Sequence, residues 1–184
     1  AGHRIFGENK IQEMTEKWEV MPKDIQWHMI GHVQTNKVKF MAEYVSLIHG
    51  VDSLKLLQEI NKQAKKHQRV IDVLLQIYIA EEESKFGLDE NELNELLQHV
   101  QNEKSSFANI NIVGLMGMAT FTENQNQIEK EFKHLKTVFD TINSKDAINR
   151  VSTLSMGMSG DYQLAISCGS TMVRIGSSIF GTRN

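Results

Sequence analysis

The feature that most constrains the fold of this chain is a regular alternation between short β-branched runs and longer segments rich in Glu, Lys and Leu. The short runs are typical of buried strands, and the longer segments are typical of amphipathic helices. Strands are predicted at residues 4–6, 27–30, 45–49, 70–78, 110–116, 151–155 and 172–175. Helices are predicted at residues 9–18, 34–43, 53–67, 89–103, 124–143 and 160–167. Strands that alternate with helices run parallel, because each helix carries the chain back to the same end of the sheet.

The number of strand-helix units favours one architecture. A (β/α)8 TIM barrel needs eight units and normally about 250 residues, whereas this chain has 184 residues and seven predicted strands. Ala1-Gly2-His3 resembles the end of a helix that leads into a strand. We therefore expect an α/β fold, a (β/α)8 barrel missing its first βα unit, with residues 1–184 as a single domain. A gap between the first and last strands and weak self-association are expected; an open doubly wound sheet is the alternative.

Composition narrows the function classes. The chain has 20 Lys and Arg against 23 Asp and Glu, a formal net charge of −3, so it lacks the basic surface that a nucleic acid partner requires. Its single cysteine cannot form an internal disulfide, which suits a reducing compartment. It contains no apolar run of about 18 residues. We expect a cytoplasmic protein without a nucleic acid or membrane partner.

The turns after the last two predicted strands have the composition of a site that binds a phosphate group. Residues 155–161 combine two glycines with two serines, and residues 176–178 form a second small turn. Carboxyl ends of parallel strands carry ligand sites, and backbone N–H groups in such turns bind anions. In an alternative interpretation both turns are plain connections, and Ser159 only caps the next helix. Residues 169–171 have a similar composition, but they precede a strand. They therefore lie at the amino ends of the strands, the end of a barrel that serves stability rather than ligand binding.

Arg174 is the most informative single residue. Because strand side chains alternate, Val173 and Ile175 face the helices while Met172 and Arg174 point into the barrel. A buried guanidinium requires an acceptor, either from a ligand or from a core salt bridge. Both possibilities remain open at this point.

The histidines do not predict a metal site. His28 and His32 lie in a strand and loop, where about 3.3 Å per residue separates their rings by roughly 13 Å, too far for shared coordination. His49 and Asp52 follow the third strand and could line a cleft, although Asp52 is more simply a helix cap. Cys168 is expected to be buried rather than nucleophilic.

Several motifs together identify a family resemblance. They are residues 6–9 with 12–13, residues 27–37 (Trp-His-Met-Ile-Gly-His-Val-Gln-Thr-Asn-Lys), residues 114–116, residues 155–159 (Ser-Met-Gly-Met-Ser), and residues 173–176 with 179–181. Together they resemble the pyridoxal phosphate homeostasis proteins from one end of the chain to the other. That family is similar in fold to the barrel domain of alanine racemase and carries pyridoxal 5′-phosphate (PLP) on a lysine.

The resemblance implies a protein that binds PLP and takes part in its intracellular homeostasis and delivery, without robust turnover. It implies PLP-dependent apoenzymes as recipients, and a monomer or weakly associating chain. Ser155, Ser159, Gly176 and Ser177 would surround the phosphate, Arg174 would face the pyridine nitrogen, and Asn9 would lie near the ring. Met156 belongs to the same motif and is included among the cofactor-binding residues.

Two features separate the functional alternatives. The family's lysine lies on a strand that precedes the segment beginning here at Gly2, so no catalytic residue is assigned. A PLP-dependent amino-acid racemase is the alternative function, but alanine racemase uses a tyrosine from a second domain, and this sequence ends just after its last strand. A phosphate-binding barrel without PLP is a third interpretation, which requires the motif matches to be accidental.

Overall fold

The computed structural model describes residues 2–81, 86–144 and 151–181. The strands are β1 (Ile5–Glu8), β2 (Gln26–Met29), β3 (Leu47–Val51), β4 (Ile71–Gln76), β5 (Ile110–Met116), β6 (Thr153–Met158) and β7 (Met172–Arg174). The helices are α1 (Ile11–Val20), α2 (Leu54–Lys66), α3 (Glu90–Asn102), α4 (Gln125–Ser144), α5 (Tyr162–Ser167) and α6 (Ser177–Phe180). Two 3-10 helices cover Thr35–Phe40 and Lys104–Phe107.

The sheet has the strand order of a barrel. All seven strands pair in the order in which they occur along the chain, and every neighbouring pair is parallel. An open doubly wound sheet has a non-sequential order, so that alternative is wrong. Within the described residues β1 and β7 form the two edges of this nearly closed barrel and do not pair with each other. None of the described helices is long and apolar enough to cross a lipid bilayer.

Apolar side chains pack on both faces of the sheet. The larger cluster lies between strands and helices and includes Trp27, Leu57 and Phe132, each almost fully buried. A smaller cluster of Leu47, Leu74 and Met116 packs with Met172 of β7. Because each buried large apolar side chain contributes about 1.5–3 kcal/mol, the larger cluster dominates stability. The smaller one leaves the rest of the barrel interior to polar groups.

Sequence signals located some helix ends correctly and others not. Ser53 caps α2 by accepting from Leu56 N, and Asp89 and Glu92 form a capping box, so both helices begin where they were predicted to begin. The helix predicted to begin at residue 9 begins only after Lys10, whose side chain makes no capping bond. The helix predicted over residues 34–43 is a 3-10 helix, in which Lys37 N donates to Gln34 O, three residues back.

Strand β6 is longer than its sequence indicates. The predicted strand ends at residue 155 and a turn follows it, but residues 156–158 continue the strand to Met158. The pairing of β6 with β7 shifts register between Ser155 and Met158, and Gly157 adopts a φ of +97° at that irregularity. The glycine that looked like a turn residue therefore allows a bulge within a strand. Ser155 lies in the middle of this longer strand and is fully buried.

Candidate functional site

Arg174 occupies the carboxyl end of β7 and points into the barrel, as predicted. Its Nη1 donates to Ser155 O at 3.0 Å and to Ser155 Oγ at 2.7 Å, and its Nη2 donates to Gly117 O at 3.2 Å. Gly117 follows β5 directly and Ser155 lies on β6, so the guanidinium links the residues of three neighbouring strands, β5, β6 and β7. The Nε–H makes no hydrogen bond within the described part of the chain and remains available to a ligand.

The charge of Arg174 has no counter-ion among the described residues. All its acceptors are neutral, and no described carboxylate lies within salt-bridge distance of it, so the core salt bridge left open above is not formed. Burial lowers the pKa of Arg174 to about 10, while Asp161 acts in the opposite direction. The guanidinium is therefore protonated at neutral pH. A partly buried cation without a counter-ion is costly unless an anion binds beside it.

Two histidines extend the Arg174 contacts across the barrel interior. His49 Nδ1 lies 3.0 Å from Ser155 Oγ, and His49 Nε2 lies 3.2 Å from His28 Nδ1. Ser155 is 0% exposed, His49 1% and His28 7%, so water does not replace these contacts. The sequence analysis did not predict this group. The two-residue period of strands β2 and β3 is the signal that could have predicted that both rings point into the barrel.

Burial keeps both rings neutral. It lowers the pKa of His28 to about 4, while the charge of Asp72 opposes this shift. It lowers the pKa of His49 well below its usual range, and the positive charges of Arg174 and of a protonated His28 lower it further. At neutral pH Arg174 is therefore the cation of this group.

The turns after β6 and β7 meet at Ser159. Its Oγ accepts from Gly176 N at 3.2 Å and from Ser178 N at 3.3 Å, so two backbone N–H groups converge on one acceptor position. Such convergent N–H groups bind the oxygen atoms of anions. Ser159 does not cap α5, whose N-cap residue is Asp161. The Ser159 hydroxyl occupies that position, and the space beside Gly176 Cα is open, because a Cβ built there would meet nothing within 4 Å. Ser177, the next residue, is exposed.

The remaining predicted site residues occupy different environments. Asn9 is exposed directly after β1 and lies against Gly31 after β2, where a Cβ would come within 2.3 Å of Asn9 O. It therefore lies at the carboxyl end of the sheet, as Arg174 does. The Met156 side chain is 0% exposed in the larger apolar cluster, and its carbonyl accepts from Ser170 Oγ at 2.7 Å.

A second polar group lies at the same end of the sheet. His32 Nδ1 is 3.3 Å from Asp52 Oδ2, and the His32 ring stacks on Phe86 with centroids 4.0 Å apart. Asp52 thus binds a histidine, and the cap function predicted for it belongs to Ser53. His28 and His32 belong to separate groups, and no described cluster of His, Cys, Asp and Glu could hold a metal ion. Cys168 is buried, as predicted.

Comparison with known proteins gives concordant matches over the whole chain. The sequence profile of the alanine racemase N-terminal domain matches residues 1–184. A pyridoxal phosphate homeostasis protein of Aquifex aeolicus is 37% identical over 184 residues, which cover 100% of this chain and 78% of that protein. The structure of PipY from Synechococcus elongatus with PLP bound has a TM-score of 0.84 at 30% identity, covering 98% of this chain and 82% of PipY. Alanine racemase of Clostridium difficile, at 16% identity and a TM-score of 0.76 over 98% of this chain and 48% of that protein, shares the fold.

Proposed function

This chain belongs to the alanine racemase N-terminal domain family, and from that premise we propose that it binds PLP and serves PLP homeostasis. Two findings about its relatives support the proposal. The Aquifex aeolicus protein carries the name pyridoxal phosphate homeostasis protein, and PipY is known with PLP bound. Both are at least 30% identical to this chain over nearly its whole length.

The observation that carries the proposal is the partly buried Arg174 cation, whose hydrogen-bond partners among the described residues are all neutral. It lies at the end of β7, and the converging N–H groups of Gly176 and Ser178 follow two and four residues later. Together they provide a positive charge and a set of donors at the carboxyl ends of β6 and β7. These are the groups that a phosphorylated pyridine ring requires, with donors for its phosphate and a donor for its ring nitrogen.

We assign the residues as follows. Ser159, Gly176 and Ser177 hold the phosphate through hydroxyl and backbone N–H groups, and Arg174 donates to the pyridine nitrogen. Asn9, exposed at the same end of the sheet, lies near the ring. PLP itself supplies an aldehyde that reacts reversibly with amines, and the protein residues bind and orient it.

Ser155 and Met156 take supporting parts in this assignment. The Ser155 hydroxyl is engaged by Arg174 and His49 and is fully buried, so it acts on the ligand through Arg174. The Met156 side chain packs in the apolar cluster and contributes by fixing the backbone of β6. The phosphate contacts then come from the turns that follow β6 and β7.

Arg174 also bears on turnover. A cation beside the ring nitrogen disfavours protonation of that nitrogen, so the ring withdraws electrons less strongly than one paired with a carboxylate. This favours holding and delivering PLP over amino-acid racemisation. The racemase comparison adds only a shared fold.

We further propose that residues 1–184 form one binding domain, that PLP-dependent apoenzymes receive the cofactor, and that the protein is located in the cytoplasm.

Arg174→Gln tests the assignment directly. A hydrogen bond to a charged group contributes about 1.5–3 kcal/mol, so the variant should bind PLP roughly 10- to 150-fold more weakly in calorimetric titration. Arg69→Gln is the matched control, because Arg69 also donates to two backbone carbonyls, those of Ala42 and Val45, at 2.8 Å each. It precedes β4 at the opposite end of the sheet, so its loss should lower stability and leave PLP affinity unchanged. Equal affinity of the two variants would contradict the proposed function.

A further inference from the structure

The buried pair His28 and His49 is not needed to contact PLP in the assignment above, yet it is joined to Arg174 through Ser155. His28 lies on β2, His49 on β3, Ser155 on β6 and Arg174 on β7, so the group crosses the barrel interior. The contacts along it measure 2.7, 3.0 and 3.2 Å. Buried polar groups of this kind are kept only where their hydrogen bonds are satisfied.

The chemistry of the donors fixes the direction of these bonds. A guanidinium only donates, so Ser155 Oγ accepts from Arg174. The single Ser155 O–H, which is fully buried, then donates to His49 Nδ1. A neutral imidazole has one donor and one acceptor, so His49 donates from Nε2 to His28 Nδ1. Both rings are therefore neutral Nε2–H tautomers. In the reverse direction the Ser155 hydroxyl hydrogen would have no acceptor among the residues that the structure describes.

This arrangement gives Arg174 an acceptor without giving it a counter-ion. A carboxylate in place of His49 would also accept from Ser155, but it would neutralise the guanidinium and compete with an anionic ligand. Asp72 beside His28 and Asp161 near Arg174 are the carboxylates that act on these groups from neighbouring elements. Neither bonds to the guanidinium in the described residues. The two imidazoles thus satisfy the hydrogen bonds and leave the charge unpaired.

We propose that His49, supported by His28, is a positioning residue that holds Arg174 through Ser155 as an uncompensated cation for an anionic ligand. The proposal rests on the proposed function where that ligand is PLP. The direction of the hydrogen bonds does not depend on any ligand. The two parts can therefore be tested separately.

The first experiment determines the tautomers of His28 and His49 by 15N-1H correlation NMR of the full chain at pH 7, with His28→Asn and His49→Asn used for assignment. The expected result is a neutral ring with a protonated Nε2 at both positions. A protonated Nδ1 on either ring, or a doubly protonated ring, would overturn the proposal. This result needs no PLP and decides the hydrogen-bond direction even when the proposed function fails.

The second experiment compares His49→Asn with His49→Asp, two side chains of the same shape that differ in charge. Affinities for PLP and for inorganic phosphate are measured by calorimetry, and stability by urea denaturation. We expect His49→Asp to bind both ligands at least tenfold more weakly than His49→Asn, because the amide oxygen offers Ser155 a neutral acceptor whereas the carboxylate adds a negative charge beside Arg174. The stability of His49→Asp should equal or exceed that of His49→Asn, because the carboxylate gains Arg174 as a partner.

Affinity and stability moving in opposite directions is the result that a purely structural role does not give. Equal losses of affinity in both variants, or no loss in His49→Asp, would overturn the proposal. The pair His67→Asn and His67→Asp provides the control, because His67 is an exposed residue that ends α2 at the other end of the sheet. Failure of the unmodified chain to bind PLP while it binds phosphate would refute the proposed function and leave this inference standing.

Discussion

Replacing Ser155 with alanine distinguishes between two roles for this residue, a contact with the ligand phosphate and a structural role in the buried hydrogen-bonded group. The sequence motif implies that Ser155 contacts the phosphate, whereas the structure engages its hydroxyl with Arg174 at 2.7 Å and with His49 at 3.0 Å. In the first case the substitution lowers ligand affinity and barely changes stability. In the second it removes the centre of a buried hydrogen-bonded group, and the free energy of unfolding falls even without a ligand.

The magnitude follows from the contacts that are lost. A hydrogen bond to a charged group contributes about 1.5–3 kcal/mol, and a buried acceptor left unsatisfied, here His49 Nδ1, costs about 1–3 kcal/mol. Arg174 keeps its bonds to Ser155 O and Gly117 O, which limits the loss. We therefore expect Ser155→Ala to lower the free energy of unfolding by about 2–4 kcal/mol. For a chain of this size that corresponds to a Tm lower by roughly 4–16 °C.

Urea denaturation followed by circular dichroism measures the change, with an unchanged m-value expected because the substitution alters no large surface. Ser152→Ala is the control: Ser152 is an exposed residue just before β6 whose side chain makes no hydrogen bond in the described part of the chain. It should stay within about 0.5 kcal/mol of the unmodified chain. If Ser155→Ala keeps near-native stability and binds PLP tenfold more weakly, the reasoning is refuted and Ser155 is a direct phosphate contact.

Two further predictions concern the phosphate turn and the buried rings. Ser159→Ala should weaken PLP binding roughly 10- to 150-fold in calorimetric titration and lower the free energy of unfolding by no more than about 1 kcal/mol; unchanged affinity with that loss of stability would limit Ser159 to holding the turn after β7 through Gly176 N and Ser178 N. Because the pKa of His28 is lowered from 6.5 to about 4, the unfolded chain binds a proton between these values that the folded chain does not. Stability should therefore fall as pH decreases from about 6.5 to 4, by up to about 3 kcal/mol from this residue. His28→Asn should flatten that part of a stability-against-pH curve, and an unaltered slope would contradict the origin assigned to it.

The sequence by itself determined the succession of strands and helices, because alternating apolar patterns and capping residues act over a few neighbouring positions. Ser53 and Asp89 located the beginnings of α2 and α3 in this way. The inward direction of Arg174 followed from the two-residue period of a strand. The parallel direction of the strands followed from the repeated strand-helix unit, whereas the structure was needed to decide between a barrel and an open doubly wound sheet. These properties depend on local geometry, which the order of residues encodes directly.

Only the tertiary structure decided what the inward side chains contact. His28, His49, Ser155 and Arg174 lie on four different strands, and His49 and Ser155 are separated by 106 positions. Their contact depends on the register of the strands, including the irregularity at Gly157 in the pairing of β6 with β7. Local patterns cannot give that register, because a serine and glycine segment fits a turn as well as a bulged strand. The pairing of β6 with β7 decides between a turn and a bulged strand, because it determines which residues face the interior and which form the turn.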